Sequence, residues 1–147
     1  MARILVVENS PLMRPALCDL LAMDGHTVVP AVHILEARCK LEKTAFDVLV
    51  INVMPPDMSG LNLVQKLRAE ATYDSLSILA YTATEDLRMC QRAINAGADR
   101  FLERPLTVAK FKSAVRRLLP ESTLPQTPPV LQPAYAVSFM TWWEQKR

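Results

Sequence analysis

Glycine is scarce in this chain, with Gly25, Gly60 and Gly97 the only three in 147 residues. No glycine-rich loop can be assembled from positions so far apart, which argues against a cradle for nucleotide or flavin phosphates. Cysteine is equally thin. Cys18, Cys39 and Cys90 are odd in number, widely spaced and form no CxxC pair. They suggest no disulfide framework, fit a reducing cytosol and read as small buried hydrophobes. The two histidines, His26 and His33, lack metal-ligand spacing with cysteines or carboxylates and read as surface or helix-start residues. No run reaches the ~18–20 apolar residues of a membrane span. The opening Met1-Ala2-Arg3-Ile4-Leu5 passes straight into strand-like sequence rather than a leader. A formal net charge of +2 gives no electrostatic case for nucleic acid or an acidic substrate.

What is present is an apolar chain, 50% hydrophobic, in which short apolar runs alternate with helical patterns. Residues 3–7 read as a buried strand, followed by a helix with Ser10 as N-cap and Pro11 in its first turn. Pro15 removes a backbone donor there, so a kink or a regular helix only after Arg14 is expected. Residues 27–31 form a second strand, which Pro30 assigns to a sheet edge. A helix over 34–43, a central strand over 46–51, a helix over 61–69 and a strand over 77–81 follow. A helix over 85–96 stops at Gly97. A strand over 100–103 and a last helix capped by Thr107 and ending near Leu119 complete the pattern. Five strands alternating with five helices imply an α/β fold: a doubly wound parallel sheet of flavodoxin-like order 2-1-3-4-5. In such folds the site lies beyond the carboxyl ends of the strands. That rule gathers Glu8, Asn9, Asn52, Thr82 and Arg104 around one crevice.

With these residues in place, the chain resembles the receiver domain of bacterial response regulators over residues 2 to about 119. The likeness rests on Ile4 to Ser10, Asn52 to Gly60, Tyr81-Thr82-Ala83 and Ala96 to Pro105. The resemblance implies a site in which two acids after the first strand and an acceptor aspartate hold Mg²⁺. The aspartate takes a phosphoryl group, a lysine grips it, and a Thr–aromatic pair switches. Here Glu8 keeps the first acid, Asn9 replaces the second, Asn52 stands at the acceptor position and Arg104 replaces the lysine. Pro55 gives an unusual Pro55-Pro56. Thr82 and Phe101 match the switch pair. A carboxamide nitrogen is delocalised and the side chain neutral, so Asn52 is no nucleophile toward phosphorus. Mg²⁺ wants charged oxygen ligands, and Asn9 and Asn52 supply none, so weak or absent Mg²⁺ binding and no other cofactor are expected. Arg104 is expected to lean onto Glu8 or the Asn52 side-chain oxygen and fill the cation's space.

The implied protein is a non-enzymatic, cytoplasmic two-component module, a degenerate receiver working by phosphorylation-independent protein contacts. Its partner would be a histidine kinase, an output protein or a second copy, with no direct nucleic-acid binding. Arg88, Met89, Arg92, Lys110 and Lys112 are candidate exposed contacts on an output face built from residues 84–119. One alternative is a conventional phosphoacceptor, with Asn52 engineered from aspartate or replaced in its role by Asp57. Another is a small-molecule binder or enzyme on the same fold. No helix-turn-helix, cyclase or phosphodiesterase motif follows the receiver; it stands alone or is the front of a longer protein.

Three segments are expected: a receiver domain over 1–119, a proline-rich linker over 120–133 and an aromatic tail over 134–147. Tyr135, Phe139, Trp142 and Trp143 sit at offsets that share one face of a helix. A helix so short needs a surface to lie on. Its own domain and a partner or second copy are both open, with a membrane surface behind them.

Overall fold

The computed structural model of the chain describes residues 2–53, 59–82, 87–103 and 106–119. The elements run β1 (Arg3–Val7), α1 (Met13–Met23), β2 (Thr27–Ala31), α2 (Ile34–Lys43), β3 (Val48–Asn52), α3 (Ser59–Arg68), a 3₁₀ turn (Ala71–Tyr73), β4 (Ser77–Tyr81), α4 (Leu87–Ala96), β5 (Arg100–Leu102) and α5 (Val108–Leu118). The strands form one parallel sheet in the order β2-β1-β3-β4-β5. Pro30 lies in the edge strand β2, as its missing N–H requires.

Strand alternation divides the core in two. Ile4, Val6, Val48, Val50, Leu79 and Tyr81 face α1 and α5. Leu5, Val7, Leu49, Ile51, Ile78 and Ala80 face α2, α3 and α4. Both layers are fully buried, so the strands read as nearly continuous apolar runs rather than alternating ones.

Several local expectations change. Helix α1 begins at Met13, with Ser10 Oγ accepting from the N–H groups of Leu12 and Met13 at 3.3 and 3.1 Å. Pro15 therefore falls in the first turn, where a missing donor has no intrahelical partner to lose. Cys39 is exposed, and Cys18 and Cys90 are only partly covered, so none of the three is a fully buried hydrophobe. His33 does start a helix: its Nδ1 accepts from Glu36 N at 3.2 Å. His26, by contrast, is buried, because the turn from α1 into β2 is packed beneath α5.

Gly97 has φ +118°, and a Cβ there would come within 2.2 Å of Arg68 Cγ. Arg68 fills that space while donating to the carbonyls of Gly97 and Tyr73 and to Asp99. The glycine thus ends α4 and lets α3 brace the entry to β5.

At the opposite pole from the strands' carboxyl ends, Asp24 and His26 meet Lys112 and Arg116 of α5. Lys112 Nζ lies 3.7 Å from Asp24 Oδ1, with side chains 9% and 2% exposed, and Arg116 Nη2 lies 3.9 Å from Oδ2. His26 Nδ1 accepts from Ala2 N at 3.2 Å, which fixes the neutral ring. Burial pushes its pKa below the usual 6.5, with Asp24 acting the other way. A depressed folded-state value means the neutral ring's contribution is whole above about pH 6.5 and is lost as pH falls through the folded pKa. The urea midpoint of the wild type is therefore expected to drop faster below pH 6.5 than that of His26→Phe. Parallel midpoint–pH curves for the two proteins would refute this.

Candidate functional site

The carboxyl ends of β1, β3 and β4 carry one row of polar side chains. Val7 pairs with Ile51 and Asn52 with Tyr81 in the sheet register. The next step along β1 sets Glu8 beside Asn52. By parity Glu8, Asn52 and Tyr81 all continue the α1/α5 face. The contacts follow from that row. Asn52 Nδ2 donates to Glu8 Oε1 at 3.0 Å, and the Tyr81 phenol donates to the same oxygen at 2.5 Å. Ser10 N donates to Glu8 Oε2 at 3.0 Å. The carboxylate is 2% exposed, so three donors from the chain's own residues compensate its removal from water.

Tyr81 is held from two sides. Its ring meets Phe111 of α5 edge-on, with centroids 5.2 Å apart. Burial and the neighbouring Glu8 charge raise its pKa well above 10, which keeps the phenol a donor. The loop after β1 is fixed too, with Arg14 Nη1 donating to the Glu8 carbonyl at 3.0 Å.

On the other side of the row lies a small cleft of about 110 Å³, lined among others by Asn9, Asn52, His33, Ser59 and Gly60. Glu8 does not line it. Gly60 lets α3 approach β3 closely; a Cβ there would stand 3.0 Å from the Asn52 carbonyl oxygen. Among the described residues no group of three or more His, Cys, Asp or Glu side chains is placed to hold a metal ion.

The residues singled out from sequence are distributed as follows. Glu8 and Asn52 are in contact, and Asn9 is exposed at the cleft. Thr82 is buried directly after β4, and Phe101 is partly buried in β5. Arg104 and Asp57 lie outside the described residues, as do Pro55, Pro56 and the whole of 120–147. Arg88, Arg92 and Lys110 are exposed. Met89 and Lys112 are not, and both are withdrawn as exposed contacts. Met89 is fully buried in the stripe it shares with Ala93 and Ala96, and Lys112 follows Phe111 on the inner face of α5. Tyr81 was the missed member of the site. Its signal was parity: two residues after Leu79, it shares the face on which Ile4, Val6 and then Glu8 lie.

A five-stranded sheet of this order, with an acid after β1 and polar ends on β3 and β4, defines the receiver architecture. The chain belongs to the response regulator receiver domain family, whose profile matches residues 4–116. Response regulator MprA of Mycobacterium ulcerans is 34% identical over 122 residues, which are 83% of this chain and 52% of that protein. The chain spans about half the length of the curated relatives it matches. Chemotaxis protein CheY4 of Vibrio cholerae superposes with TM-score 0.73 at 28% identity, covering 81% of this chain and 99% of that one. Response regulator TrrA of Thermotoga maritima, solved in complex with Mg²⁺–BeF, superposes with TM-score 0.70 at 27% identity, covering 81% of this chain and all of that one. No helix among the described residues is long and apolar enough to cross a membrane.

Proposed function

We propose that this receiver domain signals by protein–protein contact without accepting a phosphoryl group at position 52. The observation that carries the reading is the Glu8 carboxylate, already bonded to Tyr81, Asn52 and Ser10. A divalent cation would have to break those bonds and, among the described residues, would find only neutral Asn9 and Asn52 beside it. That donor set does not fit Mg²⁺, a hard ion that favours charged oxygens. Asn52 offers no lone pair able to attack phosphorus.

The receiver is residues 1–119, followed by a linker over 120–133 and a tail over 134–147. Its partner is a signalling protein of the cytoplasm: a histidine kinase, an output protein or a second copy. Arg88, Arg92 and Lys110 supply exposed cations on the face formed by residues 84–119. Thr82 and Phe101 act as a switch pair biased by binding.

The rival reading is an ordinary phosphoacceptor, favoured by similarity to TrrA, whose structure holds Mg²⁺–BeF. It needs an aspartate where Asn52 stands, or Asp57 in that role. Incubation with acetyl phosphate and Mg²⁺ followed by intact-mass analysis separates the two. No phosphoryl adduct is expected. Mg²⁺ titration is expected to show no saturable response, whereas a variant carrying Asn9→Asp with Asn52→Asp gains one. A stoichiometric adduct on the unaltered chain would establish the rival.

A further inference from the structure

One surface of the domain has a shape that the site does not use. Between β5, which is the open edge of the sheet, and α5 runs a groove of about 510 Å³. That size falls in the ~300–1,000 Å³ range of sites that take up a small ligand or a few anchoring side chains. Phe101, Leu102 and Ala114 give it an apolar floor, all partly or fully buried. Arg100, Lys110 and Arg117 stand around it with the single acid Glu103. The groove is therefore greasy below and cationic at the rim, the combination that suits aromatic rings, through apolar burial and cation–π contact together.

The chain itself carries such rings. Tyr135, Phe139, Trp142 and Trp143 are four of its nine aromatics, gathered near its end. Placement favours them over a partner's. Ser77 Oγ donates to the Leu118 carbonyl at 3.4 Å, mooring the end of α5 beside the start of β4, the strand next to β5. Arg117, in the last turn of α5, is also part of the groove rim. The described chain thus ends two residues beyond the groove rim. Residues 120–133, with five prolines, reach at most ~43 Å at ~3.1 Å per residue. Helix α5 is only ~16 Å long at ~1.5 Å per residue. The linker can return along its whole length. A tether that can span the groove makes docking intramolecular, which favours the chain's own tail over a second copy in dilute solution.

We propose that residues 134–147 dock in the β5–α5 groove of their own domain, with the four aromatics as anchors. The inference concerns this surface alone and holds whichever way the phosphorylation test falls.

Both tryptophans of the chain lie in the tail, so tryptophan emission reports its surroundings with no background from the domain. The intact chain is expected to emit to the blue of a synthetic 120–147 peptide and to be shielded from iodide relative to it. Two groove variants, Ser113→Arg and the pair Arg100→Glu with Arg117→Glu, alter exposed residues only. Each is expected to move emission and quenching to the peptide's values while the far-UV circular dichroism spectrum stays unchanged, and to lower the thermal midpoint by no more than deletion of residues 134–147 does. Wild-type emission equal to the peptide's would overturn the proposal. So would a blue shift that both groove variants leave intact. A blue shift that disappears on hundredfold dilution would also overturn it, by assigning the contact to a second copy.

Discussion

Tyr81→Phe is expected to cost about 1.5–3 kcal/mol of stability, the range for a hydrogen bond made to a buried charged group. The change keeps the ring, its edge contact with Phe111 and the volume of the core, and removes only the phenol oxygen. Glu8 then stays buried with two donors instead of three. The measurement is urea unfolding at pH 7, with Glu8→Gln and the double variant completing a cycle. A non-additive double variant assigns the loss to this pair rather than to general packing. If Tyr81→Phe unfolds at the wild-type midpoint, the phenol contributes nothing to holding the carboxylate, and the account of a self-satisfied Glu8 fails.

The second large effect is at the far pole. Lys112→Met should destabilise by about 3 kcal/mol, because it leaves the Asp24 carboxylate buried with only the longer contact to Arg116. Replacing both partners, Asp24→Asn with Lys112→Met, should recover most of that loss, since a buried pair mainly offsets its own desolvation. Urea midpoints of the three proteins, at unchanged m-value, measure both statements. A single variant as stable as wild type would mean that Asp24 is already solvated. A double variant no better than the single would mean that Asp24 acts through the turn rather than through its charge.

Much of the architecture was legible in the residues. Pro30 alone was enough to send β2 to an edge, because a strand without one donor cannot pair on both sides. Thr107 announced α5, and its hydroxyl does accept from Lys110 N at 3.1 Å. The site was half legible. Glu8 and Asn52 were picked out by their places after β1 and at the end of β3, and they touch. Arg104, expected on Glu8 or on the Asn52 side-chain oxygen, lies outside the described residues. The hydrogen-bond donors found beside Glu8 are an amide, a phenol and a backbone N–H. Tyr81 escaped because it reads as one more apolar residue of a buried strand. Only the pleat, counted from Leu79, puts its hydroxyl in the row. Met89 and Lys112 were misplaced for a simpler reason. Both were placed on the output face by position along the chain, whereas Met89, Ala93 and Ala96, and likewise Val108, Phe111, Lys112 and Val115, have the spacing of inward stripes.

The contact between Asn52 and Glu8 also bears on how this sequence can change. Putting a carboxylate back at 52 alone would press two anions together at the 3.0 Å now bridged by an amide hydrogen. One of them would have to take up a proton or swing away. A lineage holding this arrangement therefore meets an uphill first step toward phosphate chemistry.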